Sequence, residues 1–296
     1  MNKYVVGIGE VLWDCIEEEQ IIILRQLGGA PGNFSFHVKQ FGLNGYAISA
    51  IGDDNDGHDI ESIFQEKGIP YMLPYVDYAT GRVLVKKDKN GQPQYSIVEN
   101  CAWDYIPWKE EMKEIAANTQ AVCFGSLAQR NPVSRQTIYR FLDATPADAL
   151  RIFDINLREN YYSKEIIEES LKRANVLKIN DDELVVMQYM WNYLNRTPET
   201  TCRHFMKQFG LDILILTCGN KGSYVFAKGC KMSFLSTKKV KVVDTVGAGD
   251  SFTASFIATL LQGKSIRQAH RIAGKVSAFV CTKAGATPYL PKKIKR

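Results

Sequence analysis

Asp244-Thr-Val-Gly-Ala-Gly-Asp250 carries the densest chemistry in the 296 residues. Gly247, Ala248 and Gly249 make a loop small enough for an anion to approach the backbone. The apolar stretch Ser251–Leu261 predicts a helix, and Gly263 supplies its stop. A glycine loop entering a helix aims unpaired N–H groups and the positive end of the helix dipole at one point, which stabilises a phosphate there. Asp250 has two readings. As an N-cap it accepts a hydrogen bond from the helix backbone. Beside a phosphate cradle, however, a carboxylate repels the anion that the loop attracts. That placement suits a base taking a proton from a nucleophile that approaches the phosphate.

Such a loop needs a framework. Continuous apolar runs at Tyr4–Ile8, Tyr46–Ile51, Ala121–Phe124, Arg151–Ile155, Val176–Ile179 and Ile213–Leu216 predict parallel strands buried on both faces. Helical patterns such as Lys164–Arg173 and Thr200–Phe209 lie between them, so the expected class is α/β, a mostly parallel sheet between two helical layers. Polar residues follow the strands: Asp154, Asn156 and Arg158; Asn180 and Glu183; Thr217 and Gly219; and Asp244 after Val240–Val243. Ligands of open α/β sheets bind beyond the carboxyl ends of strands, so these groups are expected to meet in one cleft. Helix caps occupy the same positions, and that alternative stands for each residue singly.

One stretch breaks the rhythm. Arg82–Lys87 and Gln94–Val98 flank Asp88-Lys89-Asn90-Gly91, whose Asn-Gly pair signals a tight hairpin. With the strand-like run Ile21–Leu24, they read as a small β-sheet projecting from the main body, a lid or an ordinary surface hairpin. Glu99, Ala102, Trp103 and Asp104 follow directly and are expected at the same mouth, with an apolar face and acceptors suited to an uncharged polyol.

The formal charge is +5, and Lys292, Lys293, Lys295 and Arg296 supply four of those charges. The remaining +1 gives no basic face for nucleic acid. Seven cysteines, odd in number and without a C-x-x-C pair, read as reduced thiols, with Cys123 and Cys218 inside apolar runs. No 18-residue apolar run or signal-like N-terminus occurs, so the reading is a soluble cytoplasmic protein without membrane contact.

These motifs, taken together, resemble the ribokinase-like (PfkB) carbohydrate kinase family. Asp244–Asp250 is similar to its DTxGAGD signature, and Gly28-Gly-Ala-Pro-Gly-Asn33 to its GGxxxN signature in a form like that of fructokinases. Gly9-Glu-Val-Leu-Trp-Asp14 resembles bacterial fructokinase-like members. Asp154–Arg158, Asn180–Glu183 and Gly285-Ala286 complete the ordered set. The resemblance implies a three-layer ribokinase-like fold, one α/β kinase domain over 1–296, and a β-sheet lid from segments near 11–27 and 80–105. It implies Asp250 as catalytic base, with the N–H groups of Gly247, Ala248 and Gly249 as the anion hole. Asp14, Gly29, Asn33 and Arg158 would hold the sugar. Thr217, Gly219, Gly222 and Gly249 would lie along ATP, with Asn180 and Glu183 holding Mg²⁺ through water. The family often uses a monovalent cation such as K⁺, here at the Asp244–Val246 loop and carbonyls near Val280–Gly285. A small sugar substrate, most similar to fructose, and a homodimer are also implied.

Three rivals remain. A dinucleotide oxidoreductase lacks support, because Gly7-Ile-Gly9 is not followed by the third glycine of that fingerprint. Kinases for ribose, ketodeoxygluconate or nucleosides share the fold, though Ala30-Pro31 favours fructose over ribose. A sensor derived from a kinase would have lost its base or magnesium residues, and Asp250, Asn180 and Glu183 are all present.

Overall fold

The computed structural model describes residues 3–18, 21–87 and 93–295. The chain opens with β1 (Tyr4–Ile8), β2 (Leu12–Glu18), β3 (Ile21–Gly28) and α1 (Ala30–Gln40). Then come β4 (Gly45–Ile48), β5 (Ile51–Gly52), α2 (Asn55–Glu66), β6 (Tyr71–Met72) and β7 (Tyr75–Val76). The strands β8 (Gly81–Lys87) and β9 (Pro93–Ile97) precede α3 (Glu111–Ala117), β10 (Thr119–Phe124) and α4 (Pro132–Asp143). Next are β11 (Leu150–Asp154), α5 (Lys164–Arg173), β12 (Val176–Asn180), α6 (Asp181–Met190), α7 (Pro198–Phe209) and β13 (Ile213–Thr217). The chain closes with β14 (Ser223–Ala227), β15 (Ser233–Leu235), α8 (Ala248–Leu261) and α9 (Ile266–Val280).

Nine strands form the main sheet in the order β15-β14-β13-β12-β11-β10-β1-β4-β6. The pairings from β13 through β6 are parallel, and β14 and β15 add an antiparallel edge. The strand side chains divide between two cores. Val5, Ala121, Cys123, Ile152, Val176 and Ile215 pack with α1 and α8 through Phe34, Val38, Phe252 and Phe256. Val6, Ile8, Val122, Phe124, Leu177 and Leu214 face the other layer, where Ile138, Phe141, Leu171 and Phe205 meet them. Period-2 alternation with both faces apolar is the physical reason those runs read as continuous. The three-layer α/β expectation holds.

The second sheet has four strands, β3-β2-β8-β9, with β2 and β8 parallel at its centre. Its outward side chains Trp13 and Cys15 are buried with Ile60 and Phe64 of α2, so the sheet is rooted on that helix. Asp56 of α2 reinforces the root. Its carboxylate binds Arg25 of β3 and Arg82 of β8 at 2.6 Å each, and its carbonyl accepts from the Trp13 indole at 3.0 Å.

Several expectations need correction. Tyr46–Ile51 is two strands, because the chain leaves the main sheet after Ile48 and Ile51 pairs with β7 instead. Val240–Val243 forms no strand; Val240, Val242 and Val243 are exposed, and Val243 N donates to the Cys281 carbonyl. Asp14 sits within β2 of the small sheet, opposite Gln26 and Val83. The Asn90-Gly91 turn lies outside the described residues, whereas β8 and β9 pair antiparallel on either side of it.

Candidate active site

The carboxyl ends of β11, β12 and β13, the start of α8 and the inner face of the small sheet enclose one cleft of about 1670 Å³. Asp14, Gly29, Asn33, Arg158, Asn180, Thr217, Gly219, Gly222, Gly247, Ala248, Gly249 and Asp250 all line it. Glu183 does not.

At the head of α8, Gly247 adopts the left-handed conformation at φ 73°, and a Cβ there would sit 2.6 Å from Ala286. Only glycine turns the chain into the helix at this point. Asp250 occupies the third helical position with Gly247 as the cap, so the N-cap reading of Asp250 is overturned. Its Oδ2 instead accepts a hydrogen bond from Asn33 Nδ2 of α1 at 2.8 Å, across 217 residues of chain. Ala248 N donates back to the Thr245 carbonyl and Ser251 N to that of Gly247. Among the described residues the Gly247, Gly249 and Asp250 N–H groups take no backbone acceptor. Asp244 fixes the loop, its carboxylate accepting from Val246 N and Gly285 N at 3.0 Å each.

Three carboxyls in this cleft hold protons more tightly than usual. Burial raises Asp250 to about 6, and neighbouring Asp154 adds to it, against the Asn33 hydrogen bond and the charges of Lys178 and Arg158. Burial raises Asp14 to about 6, opposed by Arg158. Glu10 goes to about 7, chiefly through burial, with backbone hydrogen bonds opposing and Asp250 contributing. A base poised near neutrality is what proton abstraction from an alcohol needs.

Asn180 and Glu183 form a reciprocal capping box at the start of α6. Asn180 Oδ1 accepts from Glu183 N, and Glu183 Oε2 accepts from Asn180 N, both at 2.8 Å. The other Glu183 oxygen accepts from Leu157 N at 3.1 Å. With both oxygens engaged and 5% exposure, Glu183 does not fit direct ligation of a cation. No group of three His, Cys, Asp or Glu able to hold a metal occurs among the described residues. A water-mediated role is compatible with Asn180, which lines the cleft, with Glu183 bound to it just behind the lining. Thr217 ends β13, and Gly219 and Gly222 shape the turn into β14 at φ 53° and 134°.

The expected mouth residues lie elsewhere. Trp103 is fully buried beneath the Arg130 guanidinium at 4.0 Å, and Asp104 is locked to Arg130 at 2.7 Å. Glu99 is exposed and accepts from the Tyr161 hydroxyl. These residues anchor the segment after β9 to the main body, because a buried arginine requires its carboxylate there. The mouth is walled by Leu12, Ile16, Val83, Val85 and Ile97, alternate residues of the small sheet, with Asp14 and Gln26 as its polar members. Sequence reasoning also missed Lys178 and Glu10. Their signal is a lone charge inside or at the end of an otherwise apolar strand run, where an unpaired charge is costly.

A glycine turn opening α8, a carboxyl of raised proton affinity beside it and a walled cleft are compatible with phosphoryl transfer. The family comparison makes it specific: residues 2–293 match the model of the pfkB family carbohydrate kinases, and the chain belongs to that family. It is 29% identical to an ATP-dependent 6-phosphofructokinase of Thermoanaerobacterium thermosaccharolyticum, covering 98% of this chain and 92% of that protein. It is 26% identical to a fructokinase of Salmonella typhimurium, covering 98% and 97%. Among solved structures, the fructokinase of Xylella fastidiosa with bound ATP superposes with a TM-score of 0.86 at 19% identity, covering 98% and 96%.

Proposed function

We propose that this carbohydrate kinase transfers the γ-phosphate of ATP to a primary hydroxyl of a small uncharged sugar, with fructose as acceptor. The Asn33–Asp250 hydrogen bond carries the reading. It orients a carboxylate with raised proton affinity at the spot where α8 presents free N–H groups. Ionised Asp250 takes the acceptor proton as the oxygen attacks. The Gly247–Gly249 turn and the α8 dipole stabilise the charge on the transferring group. Asp14, Gly29, Asn33 and Arg158 hold the sugar, and Thr217, Gly219 and Gly222 lie along the nucleotide. Mg²⁺, held through water by Asn180 and Glu183, would neutralise phosphate charge when bound, and K⁺ suits the joined Asp244–Val246 and Gly285 loops. The small sheet acts as a lid that excludes water. A homodimer is supported by the exposed apolar residues Ile21–Leu24 on its edge strand, and the setting is cytoplasmic.

The apolar wall opposite Asp14 favours a neutral acceptor, since a second phosphate there meets no hydrogen-bond donor from Val83, Val85 or Ile97. Exposed Arg158 at the mouth, with the 29%-identical phosphofructokinase, favours a sugar phosphate instead. Purified protein with Mg-ATP and fructose, fructose 6-phosphate, ribose, ketodeoxygluconate or adenosine decides between them. The highest kcat/KM is expected for fructose. A preference for fructose 6-phosphate that disappears in Arg158→Ala would establish the second reading.

A further inference from the structure

Behind the anion loop lies an ion pair that the scheme above does not use. Lys178 of β12 is 7% exposed, yet it lines the cleft. Its Nζ pairs with Asp154 Oδ1 at 2.9 Å, and an ammonium with three donors keeps others for a further acceptor. The other Asp154 oxygen accepts from Thr253 Oγ1 of α8 at 3.0 Å. A Cβ added to Gly249 would lie 3.1 Å from Lys178 Nζ, which puts the ammonium directly against the loop. Asp154 and Asp250 also share the wall of a small cavity of about 10 Å³ whose other lining comes from β1, α1 and the end of β10.

Charge makes the arrangement telling. Asp250 has to be negative to act, and the phosphoryl group it serves is negative too, so two like charges converge on one point. Backbone N–H groups and a helix dipole offer about half a charge against them. A lysine ammonium is a compact full charge, suited to a developing phosphoryl anion. We infer that Lys178 is a further catalytic residue: its ammonium, held by Asp154 beneath Gly249, contacts the phosphoryl group as it passes from ATP to the acceptor. Burial works against the lysine's charge, yet Asp154, Glu183 and Asp250 together keep it protonated. Asp154 holds the ammonium in place through Thr253 until the nucleotide arrives. A purely structural pair would behave differently, because buried ion pairs are commonly replaceable by neutral residues at little cost.

The inference rests on Asp250 as the base, and the test separates the two. K178M/D154N removes both charges at once, leaving no lone buried ion, and keeps an acceptor for Thr253. The expected result is a folded protein with kcat lowered about 10²–10³-fold, the range for loss of one transition-state donor. KM for the sugar should stay within about threefold, and affinity for Mg-ATP should fall at least tenfold more than affinity for Mg-ADP. D154N alone leaves the lysine beside Glu183 and Asp250 but removes the partner that holds it, so it should show the same preferential loss of Mg-ATP over Mg-ADP affinity in smaller measure. Near-normal kcat in the double variant, or equal losses for ATP and ADP in either variant, would overturn the role. Should the double variant fail to fold, the ATP-to-ADP contrast in D154N still decides. Undiminished turnover in Asp250→Asn would remove the base and leave the ATP-to-ADP contrast as a reading of Lys178 alone.

Discussion

The two ends of the cleft are built on opposite plans. At the end proposed for the phosphate, charged and polar groups from β11, β12, α1, α8 and the adjoining loops are fixed to one another: Asp250 to Asn33, Asp154 to Lys178 and Thr253, Asp244 to Gly285. The end proposed for the sugar presents an apolar wall on a four-stranded sheet whose edge strand is exposed along Ile21–Leu24. Among the described residues that sheet is tied down at its root, through Trp13, Asp56, Arg25 and Arg82, and at Ile97 of β9, whose N–H donates to Glu159 and whose carbonyl accepts from Tyr161. Phosphoryl transfer is mostly positioning and electrostatics, which need a preset framework. Admitting and enclosing a sugar needs a surface able to shift against that framework.

The sharpest way to break the comparison is at Asp250. Asp250→Asn is expected to lower kcat by roughly 10²–10⁴-fold with sugar and ATP affinities within a few-fold, as for loss of a general base. Stability should move the other way. The Asp250 carboxyl is raised from 3.8 to about 6, so its favourable contribution is complete below pH 3.8 and lost as pH rises through 6. Near pH 8 the asparagine variant should therefore melt higher than the wild type. A variant with near-normal turnover ends the case for Asp250 as base.

How much of this was legible follows the same divide. The phosphate end depends on local spacing, so Gly247, Gly249 and Asp250 could be read from one heptapeptide, and the strand ends from runs of apolar residues. Lys178 was hidden because its partner Asp154 lies on the neighbouring strand, and no local pattern links them. At the sugar end, function depends on register. Asp14 faces the cleft because β2 alternates Leu12, Asp14 and Ile16 inward, a fact set by pairing with β8 across 69 residues or so of chain. Trp103 and Asp104 looked like mouth residues by proximity to the hairpin. The buried Arg130 that claims them sits on a later turn, invisible to short-range reasoning.

A smaller effect is expected from the contact that links the two ends. Asn33 donates to Asp250, stabilising its ionised form, so Asn33→Ala should raise the proton affinity of the carboxylate further. The wild-type kcat/KM should rise with pH through a midpoint near 6, as Asp250 ionises. In Asn33→Ala that acid limb should move to higher pH, while at pH 8.5 the rate recovers to within about tenfold of the wild type. An unmoved limb would assign the titration to another group, Asp14 or Glu10 being the cleft carboxyls with similar values.

The mildest perturbation tests whether the small sheet serves the acceptor at all. Asp56 sits under two arginines, one on each side of β2, and its removal loosens the root without touching the cleft lining. Arg25 and Arg82 remain about 40% exposed in these pairs, so water screens them and Asp56→Asn should cost only about 1 kcal/mol of stability. The acceptor should feel it more. A sheet that tilts more freely holds Asp14 and Gln26 less well over the sugar, in ground state and transition state alike. Loss of such uniform binding raises KM and spares kcat, so about a threefold to tenfold rise in sugar KM is expected with kcat and ATP KM nearly unchanged. A fall in kcat at constant KM would instead make closure part of the chemical step. Unaltered kinetics would leave the apolar wall a static boundary, and the contrast between a fixed phosphate end and a yielding sugar end would fail.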